Sequence, residues 1–169
     1  MSNVRQHKVQ VVVEPLDHSS TSVAQRIHAV QMDAYSQEAK LIGAIHFPPL
    51  SRTLKGLRSS PEQFFGAYAG GELVGAAGIE AGGQARVGIS SFVVAPKFQR
   101  QGVGRAILHH IIELHGHQEL QVQTAARNVP ALALYRGGGF SEVLRWFVGA
   151  ESLELVALRR SPQGAQSVA

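Results

Sequence analysis

Seven consecutive residues, Gln99-Arg100-Gln101-Gly102-Val103-Gly104-Arg105, combine the ingredients of an anion-binding turn. An apolar, strand-like run at 88–94, closed by Ala95-Pro96, comes before them, and a helix-like run at 106–115 follows. A strand, a glycine-bearing turn and a helix start gather unpaired backbone N–H groups at the positive end of a helix dipole, which suits a phosphate group. Gly102 and Gly104 lack a Cβ and let the backbone approach a ligand closely. Arg100 and Arg105 flank the turn with positive charge. The chemistry expected here is binding of a phosphorylated cofactor.

Three phosphate motifs compete for this turn. The P-loop requires a Lys-Ser/Thr pair after its last glycine, and none is present. The dinucleotide fingerprint accepts Gly102 and Gly104, but its third glycine position holds Ile107, too bulky for close helix–strand packing. That fingerprint also opens the first βα unit of its domain, whereas most of this chain comes earlier. The third pattern, Gln/Arg-x-x-Gly-x-Gly/Ala, fits Gln99, Gly102 and Gly104 position for position. On these residues alone, a glycine turn with no ligand remains an equal alternative.

The neighbouring residues decide. The third pattern resembles the pyrophosphate loop of the GNAT superfamily of N-acetyltransferases. Val93-Val94-Ala95-Pro96-Lys97-Phe98 resembles the strand end and Pro-containing turn that precede the loop in that family. Asn128-x-x-Ala131, Leu134-Tyr135 and Gly139-Phe140 resemble its second motif in register. The resemblance covers residues 85–148 well and the first 80 residues only in general layout.

This resemblance implies a GNAT-like α/β (α+β) domain over residues 1–160. Its central sheet is mixed and mainly antiparallel, of six to seven strands flanked by about four helices. It also implies an enzyme that uses acetyl-CoA as co-substrate and no metal. Such an enzyme moves the acetyl group to a primary amine by direct attack in a ternary complex. The backbone of Gln99, Arg100, Gln101, Gly102, Val103, Gly104 and Arg105 would then bind the pyrophosphate. The backbone of Phe92, Val93 and Val94 would lie along pantetheine, with Asn128 near it. Tyr135 would be the acid that protonates the leaving thiolate, since a phenol stays protonated at neutral pH. Gly137 departs from the family, which often has a basic residue there.

The base is less well marked. Residues 84–91 carry no carboxylate, so Glu80 on the preceding strand is the nearest candidate. Water held by Ser90 or Ser91, or His46, are the others. Acceptor specificity in the family lies in the first two helices and the late hairpin. This makes Tyr35, Glu38, His46 and Phe47 candidate lining residues, with Glu38 able to attract a cationic amine. The acceptor expected is a small-molecule or peptide amine, and homodimers are common among relatives. A catalytically silent acyl-CoA-binding or sensor domain is the rival reading, favoured by the missing strand carboxylate and disfavoured by Tyr135.

Composition sets wider bounds. The chain has 169 residues, 44% hydrophobic and 17% charged, with a net charge of +4 and no cysteine. That length supports one domain with a real core. The absence of cysteine excludes disulfides and a thiol nucleophile. No apolar run reaches the ~20 residues a membrane helix needs, and residues 1–10 lack a signal-peptide core, so the expectation is a cytoplasmic protein. No lysine- or arginine-rich cluster with aromatic interleaving marks a nucleic-acid binder. His109-His110 and His115-Gly116-His117 do not converge as metal ligands usually do, and are expected at the surface.

The elements that must position these residues follow from periodicity and punctuation. Residues 9–13 read as a strand stopped by Glu14-Pro15. A helix capped by Thr21 or Ser22 runs to about Lys40, and a short helix ends near Leu57. Residues 64–68 and 73–79 form a hairpin about Gly70-Gly71, and 84–94 a long strand. The loop and its helix come next, then a strand within 117–124 and a helix capped by Asn128. A hairpin of 143–148 and 153–158 completes the order. Residues 161–169 are expected to be a disordered tail.

Overall fold

The computed structural model describes residues 9–83 and 85–164. The strands are β1 (Val11–Leu16), β2 (Gln63–Ala69), β3 (Glu72–Ala81), β4 (Arg86–Val94), β5 (Glu119–Ala125), β6 (Ser141–Val148) and β7 (Leu153–Arg160). The helices are α1 (Thr21–Ile42), α2 (Leu54–Arg58), α3 (Val103–His115) and α4 (Val129–Gly137). Short 3-10 turns lie at Pro48–Ser51 and Pro96–Phe98. The seven strands form one sheet in the order β1-β2-β3-β4-β5-β7-β6. Among the described residues only the β4–β5 pairing is parallel, and the others are antiparallel. The fold expected from sequence is therefore present, with seven strands and four helices.

Helices cover both faces of the sheet. Ala24, Ile27 and Tyr35 of α1 and Leu57 of α2 pack with Phe64, Leu73, Ala76 and Val93 on one face. Val103, Ile107 and Ile111 of α3 and Leu132 and Tyr135 of α4 pack with Phe65, Val74, Ala77 and Ile89 on the other. Neighbouring residues of β2 and β3 thus serve opposite cores, as the two-residue period of a strand dictates. This is why residues 73–79 are continuously apolar rather than alternating.

In β4 the alternation breaks at one residue. Gly78 of β3 lies opposite Ser91 and Ile79 lies opposite Ile89, which leaves Ser90 as an extra residue. This bulge inverts the pattern: Val87 and Ile89 before it, and Phe92 and Val94 after it, pack against the same core. A bulge re-aims side chains in this way and commonly sits beside a functional site.

Three local expectations are corrected. Pro15 does not stop β1, which continues to Leu16 with Pro15 opposite Phe65. β1 is an edge strand, so the missing proline N–H breaks no ladder on its open side. The N-cap of α1 is Ser20, without a side-chain capping bond, rather than Thr21 or Ser22. His110 is half-buried, with its ring edge against Phe65 at 5.3 Å, rather than at the surface. Gln84, residues 1–8 and residues 165–169 lie outside the described residues, and with them most of the expected tail.

Candidate active site

The site begins where the sheet comes apart. β4 and β5 pair only from Arg86↔Glu119 to Ile89↔Val122, although the strands run on to Val94 and Ala125. Past Ile89 they diverge and leave unpaired backbone edges facing a gap. The Ser90 bulge falls at the point of divergence.

The anion loop stands at the open end of that gap. Gly102 has φ 87° and is the N-cap of α3. That left-handed conformation suits glycine and strains other residues. Arg100 also has positive φ, at 61°. The first intrahelical bond runs from Ala106 N–H to Gly102 O at 3.0 Å. The N–H groups ahead of Ala106 therefore lack an intrahelical carbonyl and face the loop mouth. Arg100 and Arg105 are exposed there. The Gln99 side chain, also exposed, donates to Val94 O at 3.2 Å and to Gln37 Oε1 at 2.6 Å. It pins the loop to the end of β4 and to α1.

α4 carries the second motif to the same gap. Asn128 Oδ1 accepts the Ala131 N–H at 3.2 Å and so caps the helix, as its sequence position implied. Its Nδ2 donates to Glu38 Oε1 at 3.1 Å. Tyr135 is 4% exposed, with its ring edge-on to Phe92 at 5.8 Å and tilted on Phe140 at 5.7 Å. Burial, and then the charge of Glu38, push its phenol above its ordinary value, so it stays protonated. Phe92 and Val94 pack on the α3–α4 side, while the Val93 side chain is buried in the opposite core.

A cleft of about 930 Å³ runs from Phe92 and Tyr135 to α1 and the segment after it, and the loop residues 99–105 are not part of its lining. Tyr35, Glu38, His46 and Phe47 all line it, as do Asn128 and Tyr135. Tyr35 packs edge-on against Phe47 at 5.9 Å. Burial, reinforced by the charge of Glu38, raises its phenol to about 12. Burial also raises the Glu38 carboxyl, only partly offset by the Asn128 bond. Glu80 lines the cleft but is exposed. Trp146 and Val148 supply the far wall from β6.

Two carboxylates that sequence reading passed over organise this region. Glu62 is 5% exposed and accepts from Arg52 Nη2, Ser90 Oγ and, at 2.5 Å, Ser60 Oγ. Burial pushes its carboxyl up, but those three bonds and the Arg52 charge outweigh it and hold it below the usual range. Gly78 leaves the space for this network: a Cβ there would stand 2.7 Å from Glu62 Oε1. The network ties the segment after α1 to the bulged residue of β4. Glu151, in the β6–β7 turn, accepts the backbone N–H groups of Ile45 and His46, each at 3.0 Å. That clamp joins two loops that both line the cleft.

A mixed sheet split between its parallel strands, with a helix-start loop at the split, is the fold of the acetyltransferases. The ribosomal-protein-S18-alanine N-acetyltransferase of Escherichia coli superposes with a TM-score of 0.73 at 19% identity, covering 95% of this chain and 99% of that one. The N-acetyltransferase PaiA of Thermoplasma acidophilum, solved with coenzyme A, superposes at 0.69 with 13% identity over 90% and 99%. In sequence, the chain is 35% identical to the UPF0157 protein YqkA of Bacillus subtilis over 132 residues, which is 78% of this chain and 38% of that protein. It is 33% identical to the N-alpha-acetyltransferase RimI of Mycobacterium tuberculosis over 110 residues, 63% of this chain and 69% of that one. The Acetyltransferase (GNAT) family model matches residues 25–140, and the chain belongs to this family.

Proposed function

We propose that the chain is an acetyl-CoA-dependent N-acetyltransferase that acylates a primary amine by direct attack in a ternary complex. The observation that carries this reading is the junction at Tyr135. There the divergent end of β4, at Phe92, and the cleft meet at one buried phenol, and the loop before α3 follows the same end of β4.

The residues present suit the co-substrate. The N–H groups at the start of α3, with Arg100 and Arg105 beside them, suit a pyrophosphate. The edge of β4 from Phe92 to Val94 faces the gap left by β5, with the Val94 carbonyl held by Gln99, and suits an extended amide-bearing arm docked as a further strand. Acetyl-CoA supplies the acetyl group as a thioester. A backbone N–H at the end of β4 polarises the carbonyl. The Tyr135 hydroxyl gives its proton to the departing sulfur. Holding both reactants in one cleft replaces a bimolecular encounter by an oriented one. Glu80 stands in solvent at the cleft wall and fits proton removal less well than this acid fits its role.

Peptide N-termini are the first acceptors to try, because two relatives bear names for N-alpha-acetyltransferase and ribosomal-protein-alanine acetyltransferase activity. Small primary amines come next. The test is release of CoA thiol from acetyl-CoA with and without each amine. Amine-dependent release supports the reading. Binding of CoA with no turnover on any amine returns the silent binding domain.

A further inference from the structure

Resting on that reading, we infer that Glu38 of α1 receives the ammonium group of the acceptor and removes its proton before attack. Four observations place it there. Glu38 lines the cleft that also holds Tyr135. Asn128 holds one of its oxygens at 3.1 Å and at the same time caps α4, the helix that carries Tyr135. A single asparagine thus sets the base and the acid relative to each other. The residue is half-buried on a helix, so its position is fixed rather than swept through solvent. The other oxygen has no protein donor among the described residues and is available to a ligand.

Burial raises its carboxyl above the ordinary value, against the Asn128 bond, which increases its basicity. The other ionisable side chains lining the cleft are Tyr35 on α1, Tyr135 on α4, His46 after α1, Glu80 on β3, Glu151 in the β6–β7 turn and Arg159 on β7. Of these, Glu80 is exposed on the wall, and Glu151 is engaged by two backbone N–H groups.

The step balances as follows. The carboxylate takes one proton from the ammonium and later returns it to water. The freed nitrogen lone pair forms the C–N bond to the thioester carbonyl carbon, and the C–S bond breaks. Tyr135 protonates the sulfur and recovers a proton from the acylated nitrogen. The sum is amide, CoA thiol and one proton.

The experiment uses the full chain, acetyl-CoA, and an alanine-initiated tetrapeptide amide and benzylamine as acceptors. The pH profile of kcat/KM is measured for the wild type, Glu38→Gln, Glu38→Asp and Glu80→Gln. The Glu38→Gln side chain keeps an oxygen for Asn128, so melting temperature and CoA affinity stay near wild type. Its kcat/KM falls about 10²-fold or more, and the acidic limb of the profile disappears. Glu38→Asp restores part of the activity and the limb. Retention of the limb in Glu38→Gln overturns the inference, as does its loss in Glu80→Gln instead. A separate carbon NMR titration of the Glu38 carboxyl, with no turnover needed, shows a midpoint above that of an exposed glutamate, and an ordinary midpoint counts against the inference. A wild type that binds CoA and releases no thiol with any amine overturns the acetyl-transfer reading itself.

Discussion

The two halves of the proposed site are built from different materials. The co-substrate half is made of backbone: a helix start, a positive-φ glycine and two diverging strand edges. The acceptor half is made of side chains brought together over long distances. Glu62 meets Ser90, Glu38 meets Asn128, and Glu151 meets Ile45 and His46 across 28, 90 and about 105 positions respectively. Backbone features depend on local sequence and tolerate change around them. Side-chain assemblies depend on each partner and fail one by one. Tyr135 stands where the halves join.

Substitutions can break this contrast, starting with the largest effect. Tyr135→Phe keeps the ring contacts with Phe92 and Phe140 and removes only the hydroxyl. Turnover falls about 10²–10⁴-fold while CoA affinity, measured by calorimetry, stays near wild type. Equal losses in both would show that the hydroxyl serves binding.

Glu62→Ala leaves Arg52, Ser60 and Ser90 without their acceptor. Breaking a buried ion pair in this way costs about 3–5 kcal/mol, and Arg52, with a side chain 24% exposed, places this one near the low end. Chemical denaturation reads it. Folding lowers the Glu62 carboxyl below its ordinary 4.5, so its contribution is fully present above pH 4.5 and is lost as pH falls through the lower folded value. Glu62→Gln removes that acid-side dependence, and an unchanged acid profile would contradict the assignment.

Gly102→Ala and Gly104→Ala separate conformation from space within the backbone half. At Gly102 the φ of 87° makes alanine strained by about 1–2 kcal/mol. CoA affinity falls with it, as the loop distorts. At Gly104 a Cβ meets Leu134 at 3.4 Å and Phe92 and Val94 at 3.7 Å, which is ordinary contact, and the fold accepts it. Thermal melts of the two variants compare them directly.

Glu151→Ala gives the smallest effect. It frees the Ile45 and His46 amides, and their hydrogen exchange rises roughly five- to tenfold, the loss of about 1 kcal/mol of hydrogen bonding. CoA affinity does not change. Exchange that stays slow in the variant would place the order of these loops elsewhere.

The same contrast explains what could be read in advance. The order of elements, the seven-stranded mixed sheet and the loop before α3 were legible, because periodicity and glycine placement are local signals. Asn128 was legible as a cap for the same reason. Tyr35, Glu38, His46 and Phe47 were placed on the acceptor side through family layout, and all four line the cleft. Glu62 was not legible: Ser60-Pro61-Glu62 reads as a turn, and nothing local says that its carboxylate turns inward to Ser90. Glu151 sits in an exposed turn sequence, with its partners over a hundred residues away. The Ser90 bulge left a fainter trace, the switch of apolar positions from Val87 and Ile89 to Phe92 and Val94. Pro15 misled because a strand's edge position is a property of the sheet, not of the strand.

The central claim is that the two halves work together, with acetyl-CoA held by the backbone half and an amine by the side-chain half. Thiol release from acetyl-CoA by the full chain, against a panel of N-terminal peptides and small primary amines, measures this directly. The account predicts release that requires an amine, saturates in both reactants, and is lost in Tyr135→Phe with CoA binding intact. Release that is independent of amine, or CoA binding with no release on any amine, would contradict it.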